Sequence, residues 1–400
     1  MKYDFTTVLD RHGKDALAVD GVGCTRYAPA RPKKDRTVIP MWVADMNFAT
    51  CPAIQEAITE RVKHPCFGYF FPTDAYYNAI RDWQASRNGV ETLPTEAIGY
   101  ENGVLGCLAS AVEAFTSPGD AILIHSPVYV GFTGTIENLG RKIIHSPLVQ
   151  DRDGIWRMDY ADMAQKIRDH RIHFAVFCSP HNPCGRVWQR EEIEAAMEVY
   201  RKEEVLVVSD EIWSDILLDG QKHIPTQSIS EDAKNRTIAV YAPSKTFNLA
   251  GMVGSYHIVY NQYLRERLEQ RASLSHYNAM NVLSMHALIG AYSAEGKEWV
   301  DELCATLSEN ISYAVKRINE TFDGIRTTMP EGTYMLFLNC REWCETNKKS
   351  MDDLIRAGWD EGVAWQDGRP FYDDYAIRMN LALPITLIKE ALDRIEKAVL

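Results

Sequence analysis

The sequence has no apolar run near the roughly 18 residues a membrane-spanning helix needs, which sets a spanning role aside. It has no Cys-x-x-Cys pair; Cys340 and Cys344 are the closest two of nine cysteines. An odd, scattered set of this kind argues against a disulfide framework and for reduced, mostly buried thiols in the cytoplasm. No block of Lys and Arg occurs, and the balance of 43 basic against 55 acidic residues leaves a net charge of −12. That charge repels phosphate backbones and anionic lipid, so no nucleic-acid or membrane partner is expected. No repeat recurs at periods of about 20–50 residues, and no segment is of low complexity. The stretch from Met1 to Asp15 is polar and lacks the apolar core of a signal peptide. No His, Cys or Asp cluster has metal-ligand spacing, so no metal is expected.

What is there is a chain of 400 residues, 46% hydrophobic and 24% charged. At about 100–200 residues per domain this predicts two domains or three, each with an ordinary core. Residues 20–40 read as an arm: Gly21, Gly23, Pro29 and Pro32 flank the charge cluster Lys33 to Arg36. From about residue 100, strand and helix patterns alternate. Ala121–Ile124, Phe174–Phe177, Val205–Val208 and Ile238–Tyr241 are apolar on both faces, as strands covered by helices must be. Leu105, Leu108, Ala109 and Val112 form a helical stripe, as do Ile193, Ala196, Met197 and Tyr200. The alternation predicts an α/β fold with parallel strands and right-handed crossovers. Beyond about residue 290 long helices dominate, including the stripe Ile388, Ala391, Leu392, Ile395 and Val399. A strand-like hairpin near Tyr334–Leu338 precedes that stripe. This predicts a smaller α+β domain, completed by N-terminal residues: 1–49 as arm and part of the small domain, 50–290 as the large domain, 291–400 as the rest of the small one.

Functional groups in open α/β sheets sit past the carboxyl ends of the strands. Each apolar run here is followed by a polar cluster: His125 to Tyr129, Ser179 to Gly185, Ser209 to Asp215, and Ala242 to Asn248. An aromatic ring, an amide, an acid and a lysine would converge on one crevice. Pyridoxal phosphate needs such a set: a lysine for its aldehyde, a carboxylate for its pyridine nitrogen and a flat side chain over its ring. It also needs a helix N-terminus for its phosphate. Asn102-Gly103-Val104, opening a helix that runs to about Ser117, fits the last requirement.

The sequence resembles the fold-type I pyridoxal phosphate enzymes of the aspartate aminotransferase superfamily, class I and II. More closely it is similar to the cystathionine β-lyases of the MalY and PatB type. The resemblance starts at Met41 to Met46 and Phe67-Gly68-Tyr69. It continues through Pro180 to Pro183, Ser209 to Ile212 and Ser244 to Gly251, and ends at Ile377 to Asn380. It implies a large domain on a mostly parallel seven-stranded sheet with a smaller α+β domain. It also implies the cofactor pyridoxal 5′-phosphate. Lys245 would hold the cofactor and remove the substrate Cα proton. Asp210 would pair with the pyridinium nitrogen, Asn182 with the phenolic oxygen, and Tyr129 would stack on the ring. Gly103, Val104 and Ser244 would bind the phosphate, and Arg378 the substrate α-carboxylate. Tyr69 would reach the phosphate of a neighbouring subunit, which implies a homodimer with shared active sites. The implied reaction is Cβ–S cleavage of L-cystathionine or related cysteine S-conjugates in the cytoplasm.

Three positions depart from the pattern. Val253, eight residues after Lys245, stands where aminotransferases of the superfamily carry a phosphate-binding Arg. The lyase branch often lacks that Arg too. Trp213 replaces the usual Tyr or His and either contacts the cofactor or shapes the pocket. Asn47 replaces Asp. The stretch Ser275 to Asn278 reads as a pocket wall or a plain turn. His181 and Asp215 read as supporting residues; Cys107, Cys178 and Cys184 read as small core residues. An aminotransferase on the same fold is the alternative, and a regulatory or binding protein on this scaffold is a third reading.

Overall fold

The structure is a computed structural model and describes residues 1–24, 28–33, 35–275 and 278–399. Thr25–Tyr27, Lys34, His276, Tyr277 and Leu400 lie outside that set. The chain divides into two compact units. One comprises Met1–Ala49, Pro183–Gly185 and Glu302–Leu400, the other Thr50–Asn182 and Arg186–Asp301. Among the described residues no helix is long and apolar enough to cross a membrane.

The second unit is built on a seven-stranded sheet. Its strands are β1 (Ile98–Asn102), β2 (Ala121–Ser126), β3 (Lys142–Pro147), β4 (Phe174–Cys178), β5 (Leu206–Asp210), β6 (Thr237–Tyr241) and β7 (Gly254–Ile258), in the order β1-β7-β6-β5-β4-β2-β3. The pairs β3–β2, β2–β4, β4–β5 and β5–β6 are parallel. Only β7 runs against the rest, antiparallel to both β6 and β1. The four apolar runs read from the sequence lie on β2, β4, β5 and β6, with Val205 just ahead of its strand. All five residues of β4 and of β6 are buried, as a sheet covered on both faces requires.

Five helices of this unit matter below: α1 (Pro52–Lys63), α2 (Asp74–Asn88), α3 (Val104–Phe115), α4 (Arg190–Lys202) and α5 (Val282–Ala291). The α4 stripe Ile193, Ala196, Met197 and Tyr200 is buried, and a capping box between Gln189 and Glu192 starts the helix. On α3 the buried face differs from the sequence stripe: Leu108 and Val112 are buried, while Leu105 and Ala109 are only half-buried. Cys107 and Ala111 join Leu108 and Val112 against Ile122, Ile124, Val176, Val208, Ile238 and Val240. Neighbouring helices at Val130–Asn138 and Gln262–Ala272 cover its flanks, so more of its surface is enclosed than one stripe provides.

In the first unit, β8 (Met335–Asn339), β9 (Gln366–Asp367) and β10 (Ala376–Asn380) form an antiparallel sheet in the order β8-β10-β9. The hairpin expected near Tyr334–Leu338 is therefore not formed. The strand exists, but its partner is β10, roughly forty residues on, and no local turn signals that pairing. N-terminal residues join this unit: Ile39–Pro40 pairs in parallel with Val363–Ala364. The stripe Ile388, Ala391, Leu392 and Ile395 is buried on the helix Ile385–Ala398.

Helices α1 and α5 touch backbone to backbone at Gly290. A Cβ there would lie 2.6 Å from the Ala53 carbonyl oxygen and 2.9 Å from Ile54 Cα. Gly290→Val is expected to part these helices and cost about 1–3 kcal/mol, as overpacking does. A lower urea midpoint checks it; an unchanged midpoint would show that the contact yields freely.

Candidate active site

Because β2, β4, β5 and β6 are parallel, the residues after them leave from one edge of the sheet. Tyr129 follows β2, Asn182 follows β4, Asp210 ends β5 and Lys245 follows β6. Hydrogen bonds tie each exit to the next. His181 Nε2 donates to the Pro127 carbonyl at 2.8 Å. Burial lowers the His181 pKa to about 4, so the ring is neutral at ordinary pH. Ser179 N–H donates to the Asp210 carbonyl and Glu211 N–H to the Val240 carbonyl, both at 2.9 Å. Side chains on four loops thus stand on a continuous, hydrogen-bonded edge.

Asp210 is buried, and its Oδ1 accepts the Ile212 N–H at 3.0 Å. Burial raises its pKa to about 7; the Ile212 N–H and Lys245 oppose the rise, and the Glu211 charge adds to it. An acid in that state is poised to gain or share a proton with a basic neighbour.

Lys245 lies in the helical turn Pro243–Thr246. The turn is closed by Phe247 N–H to the Pro243 carbonyl and Leu249 N–H to the Ser244 carbonyl, both 2.9 Å. The lysine Nζ stands 6.0 Å from the centre of the buried Trp213 ring. Asp215 holds the turn from behind, accepting from Thr246 Oγ1 at 3.0 Å and from Trp83 Nε1 at 3.1 Å. Burial raises the Asp215 pKa, while Arg87, Thr246 and Trp83 favour its anion. The supporting role read for Asp215 thus has a definite object, the residue after Lys245.

Gly103, at φ +79°, turns the chain into α3. The first bond of this helix runs from Cys107 N–H to the Gly103 carbonyl. The N–H groups of Val104, Leu105 and Gly106 therefore have no acceptor within the helix, and no side chain caps it. Val253 lies beside this turn, its Cγ1 and carbonyl oxygen each 3.7 Å from where a Gly103 Cβ would stand. Asn278, from the stretch read as wall or turn, accepts the Asn102 N–H at 2.8 Å. His276 and Tyr277 of that stretch lie outside the described residues. Tyr129 lies over Gly131, where a Cβ would meet its Cε1 at 2.4 Å and Leu105 Cδ1 at 2.8 Å. The ring-bearing loop and α3 therefore meet across a glycine, a contact the sequence did not reveal.

Tyr69 is fully exposed, in a run with exposed Phe67, Phe70 and Phe71. Arg378 belongs to the other unit, on β10. There it is buried, donating to Gln366 Oε1 at 2.5 Å and the Trp42 carbonyl at 3.3 Å, with its guanidinium 4.5 Å from the Phe371 ring centre. Asn47 of that unit accepts from Arg11 at 2.9 Å, while Arg11 pairs with Asp45 at 2.6 Å. Among the described residues one non-local trio, Glu101, Cys107 and His257, brings possible metal-ligand atoms within 4.8 Å of one another. It is closed on itself: His257 Nδ1 bonds Glu101 at 2.8 Å, and burial with Glu101 pushes the Cys107 thiol well above its ordinary pKa. A metal-binding thiol needs the opposite shift.

The family model for class I and II aminotransferases matches residues 36–395. The chain belongs to that family. It is 32% identical to the cystathionine β-lyase PatB of Bacillus subtilis over 363 residues, covering 90% of this chain and 92% of that protein. Protein MalY of Escherichia coli is 29% identical over 344 residues, 85% of this chain and 84% of its own. Among solved structures, cystalysin from Treponema denticola, which contains a pyridoxal 5′-phosphate cofactor, superposes with a TM-score of 0.91 at 30% identity. That match covers 100% of this chain and 99% of that one. A PLP-bound C–S lyase from Staphylococcus hominis gives 0.89 at 28% identity, over 100% and 99%. Within the class I and II aminotransferase family this chain carries the fold-type I architecture expected from its motifs.

Asp210 binds its proton more tightly folded than unfolded. Its contribution to stability is therefore full below about pH 4 and lost as pH rises toward about 7. Asparagine has no such loss. Asp210→Asn is expected to raise the thermal midpoint of the protein without added ligand, by a margin that widens between about pH 4 and 7 and is constant above. Thermal scans across that range check it; a margin independent of pH would contradict the shift.

Proposed function

We propose that this chain is a pyridoxal phosphate-dependent C–S β-lyase. It converts L-cystathionine, or a related cysteine S-conjugate, and water into a thiol, pyruvate and ammonia. The observation that carries the reading is the buried acid at the end of β5 beside the lysine turn after β6, on a chain similar throughout to C–S lyases.

The donors present fit the cofactor. The open N–H groups at the start of α3, with Ser244, suit a phosphate. Asp210 suits a basic ring nitrogen, Asn182 a phenolic oxygen, the Tyr129 ring a flat heterocycle and Lys245 an aldehyde. When bound, pyridoxal phosphate supplies an electron-withdrawing ring that makes the substrate Cα–H acidic. Asp210 holds a proton at the ring nitrogen, and its burial away from competing water strengthens that hold. Lys245 Nζ takes the proton from Cα. The Trp213 ring, 6.0 Å away, favours the ammonium form that results. That ammonium can hand its proton to the departing sulfur as the Cβ–S bond breaks. Arg378, pre-aligned by Gln366 and Trp42, takes the substrate α-carboxylate as a bidentate pair.

Val253 supports the lyase reading over the aminotransferase one. It places an uncharged side chain beside the α3 turn, at the sequence position where the resemblance gives aminotransferases an Arg and the lyase branch often lacks it. The exposed aromatic run at Tyr69 supports a homodimer in which Tyr69 completes the partner's site, and we take the enzyme as cytoplasmic.

Purified protein is expected to release pyruvate over many turnovers from L-cystathionine. Lys245→Ala should abolish both pyruvate and the visible absorbance of bound cofactor. Arg378→Ala should raise KM by about tenfold or more, the cost of losing a charge-assisted pair. Amino transfer to a 2-oxo acid without pyruvate would instead assign an aminotransferase.

A further inference from the structure

Next to Asp210 stands a second buried acid that the reaction above leaves unused. Glu211 is fully enclosed, and its two oxygens accept four hydrogen bonds. Oε1 takes the Ser209 hydroxyl at 2.8 Å and the Thr226 N–H at 3.1 Å. Oε2 takes His223 Nε2 and the Tyr241 hydroxyl, both at 2.6 Å. Thr226 Oγ1 lies 2.9 Å from Ser209 Oγ, whose own proton goes to Glu211. Burial by itself would raise this acid's pKa. The charge and hydrogen bond of His223 and the hydroxyls of Tyr241 and Ser209 outweigh that and hold it below the ordinary glutamate value.

Asp210 has a different environment. Its Oδ1 accepts one backbone N–H, and the ionisable groups that act on it are Lys245 and Glu211, with the Cys107 thiol on α3 sensing its charge. Those acting on Glu211 are His223, Tyr241 and Asp210, with Tyr256 sensing its charge from β7. Two adjacent buried acids do not both ionise freely; the better-solvated one takes the charge and the other keeps the proton. Here hydrogen-bond donors assign the charge to Glu211.

We propose that Glu211 is a positioning residue for the cofactor: a fixed buried anion behind Asp210 that keeps a proton in the pair between Asp210 and the ring nitrogen. The inference rests on the reading of Asp210 as the acid facing that nitrogen. It also gives the network a purpose beyond fastening. The same four bonds join the end of β5, the segment His223–Thr226 and the end of β6, so Asp210 is held in place as well as in charge.

The test uses the full-length protein and pyridoxal phosphate. Wild type, Glu211→Gln, Asp210→Asn and Gln227→Ala are compared for cofactor affinity, for the pH midpoint of the bound cofactor's absorbance change, and for thermal midpoint. Gln227 is a nearby buried fastener, donating to the Thr237 and Ile258 carbonyls at 2.9 Å each. Glu211→Gln is expected to move the absorbance midpoint down by about half a pH unit or more and to weaken cofactor binding. Gln227→Ala is expected to lower only the thermal midpoint. If Glu211→Gln is not recovered folded, Ser209→Ala/Tyr241→Phe removes a donor from each oxygen and must move the midpoint the same way. An absorbance midpoint unchanged in these variants, with Asp210→Asn shifted, overturns the role of Glu211 alone. No cofactor binding by wild type, or an Asp210→Asn protein that matches wild type, overturns the reading of Asp210 beneath it.

Discussion

The parallel alignment of β2, β4, β5 and β6 is the constraint on which the rest depends. Parallel strands all end on one edge, so an aromatic ring, an amide, an acid and a lysine separated by more than a hundred residues emerge side by side. The alignment also permits the ties between exits, since Ser179 can reach the Asp210 carbonyl and Glu211 the Val240 carbonyl only when those strands end level. A register slip would break these bonds and turn buried side chains to the wrong face. Precision at the site is therefore inherited from the sheet.

Charge burial is the second theme. Asp210, Glu211 and Asp215 lie within six residues, and all are buried. Each meets a different set of partners. Glu211 is surrounded by donors and has the character of an anion. Asp215 is shared by Thr246, Trp83 and Arg87, and spends its hydrogen bonds holding the lysine turn. Asp210 has the fewest partners of the three and the pKa pushed to about 7. An under-partnered buried acid is costly to a protein alone and useful once a basic group arrives.

Legibility from the sequence was uneven, for identifiable reasons. The runs on β2, β4, β5 and β6 were plain, because a strand buried on both faces is apolar throughout. The α4 stripe was plain because one face of the helix packs and the other is solvated. The partner of β8 was not, because β8 and β10 meet across a long intervening segment with no turn motif between them. Gly131 was invisible as a contact point, since only the fold brings Tyr129 and Leu105 to either side of it. Glu211 stood in the motif, yet its donors come from His223, Thr226 and Tyr241, and nothing in local spacing indicates that these converge.

By itself the sequence determined the class of fold, the order of its elements and the polar residues that leave the strand ends. Those follow from local rules, namely hydrophobic period, helix stripes and the cost of placing an acid or lysine after an apolar run. The tertiary structure alone decided which donors each of three neighbouring acids meets: four at Glu211, one backbone N–H at Asp210, and the Thr246 hydroxyl and Trp83 N–H that tie Asp215 to the lysine turn. Protonation inside a protein depends on burial and on donors within about 3 Å. Those donors are assembled from distant parts of the chain only when the sheet forms.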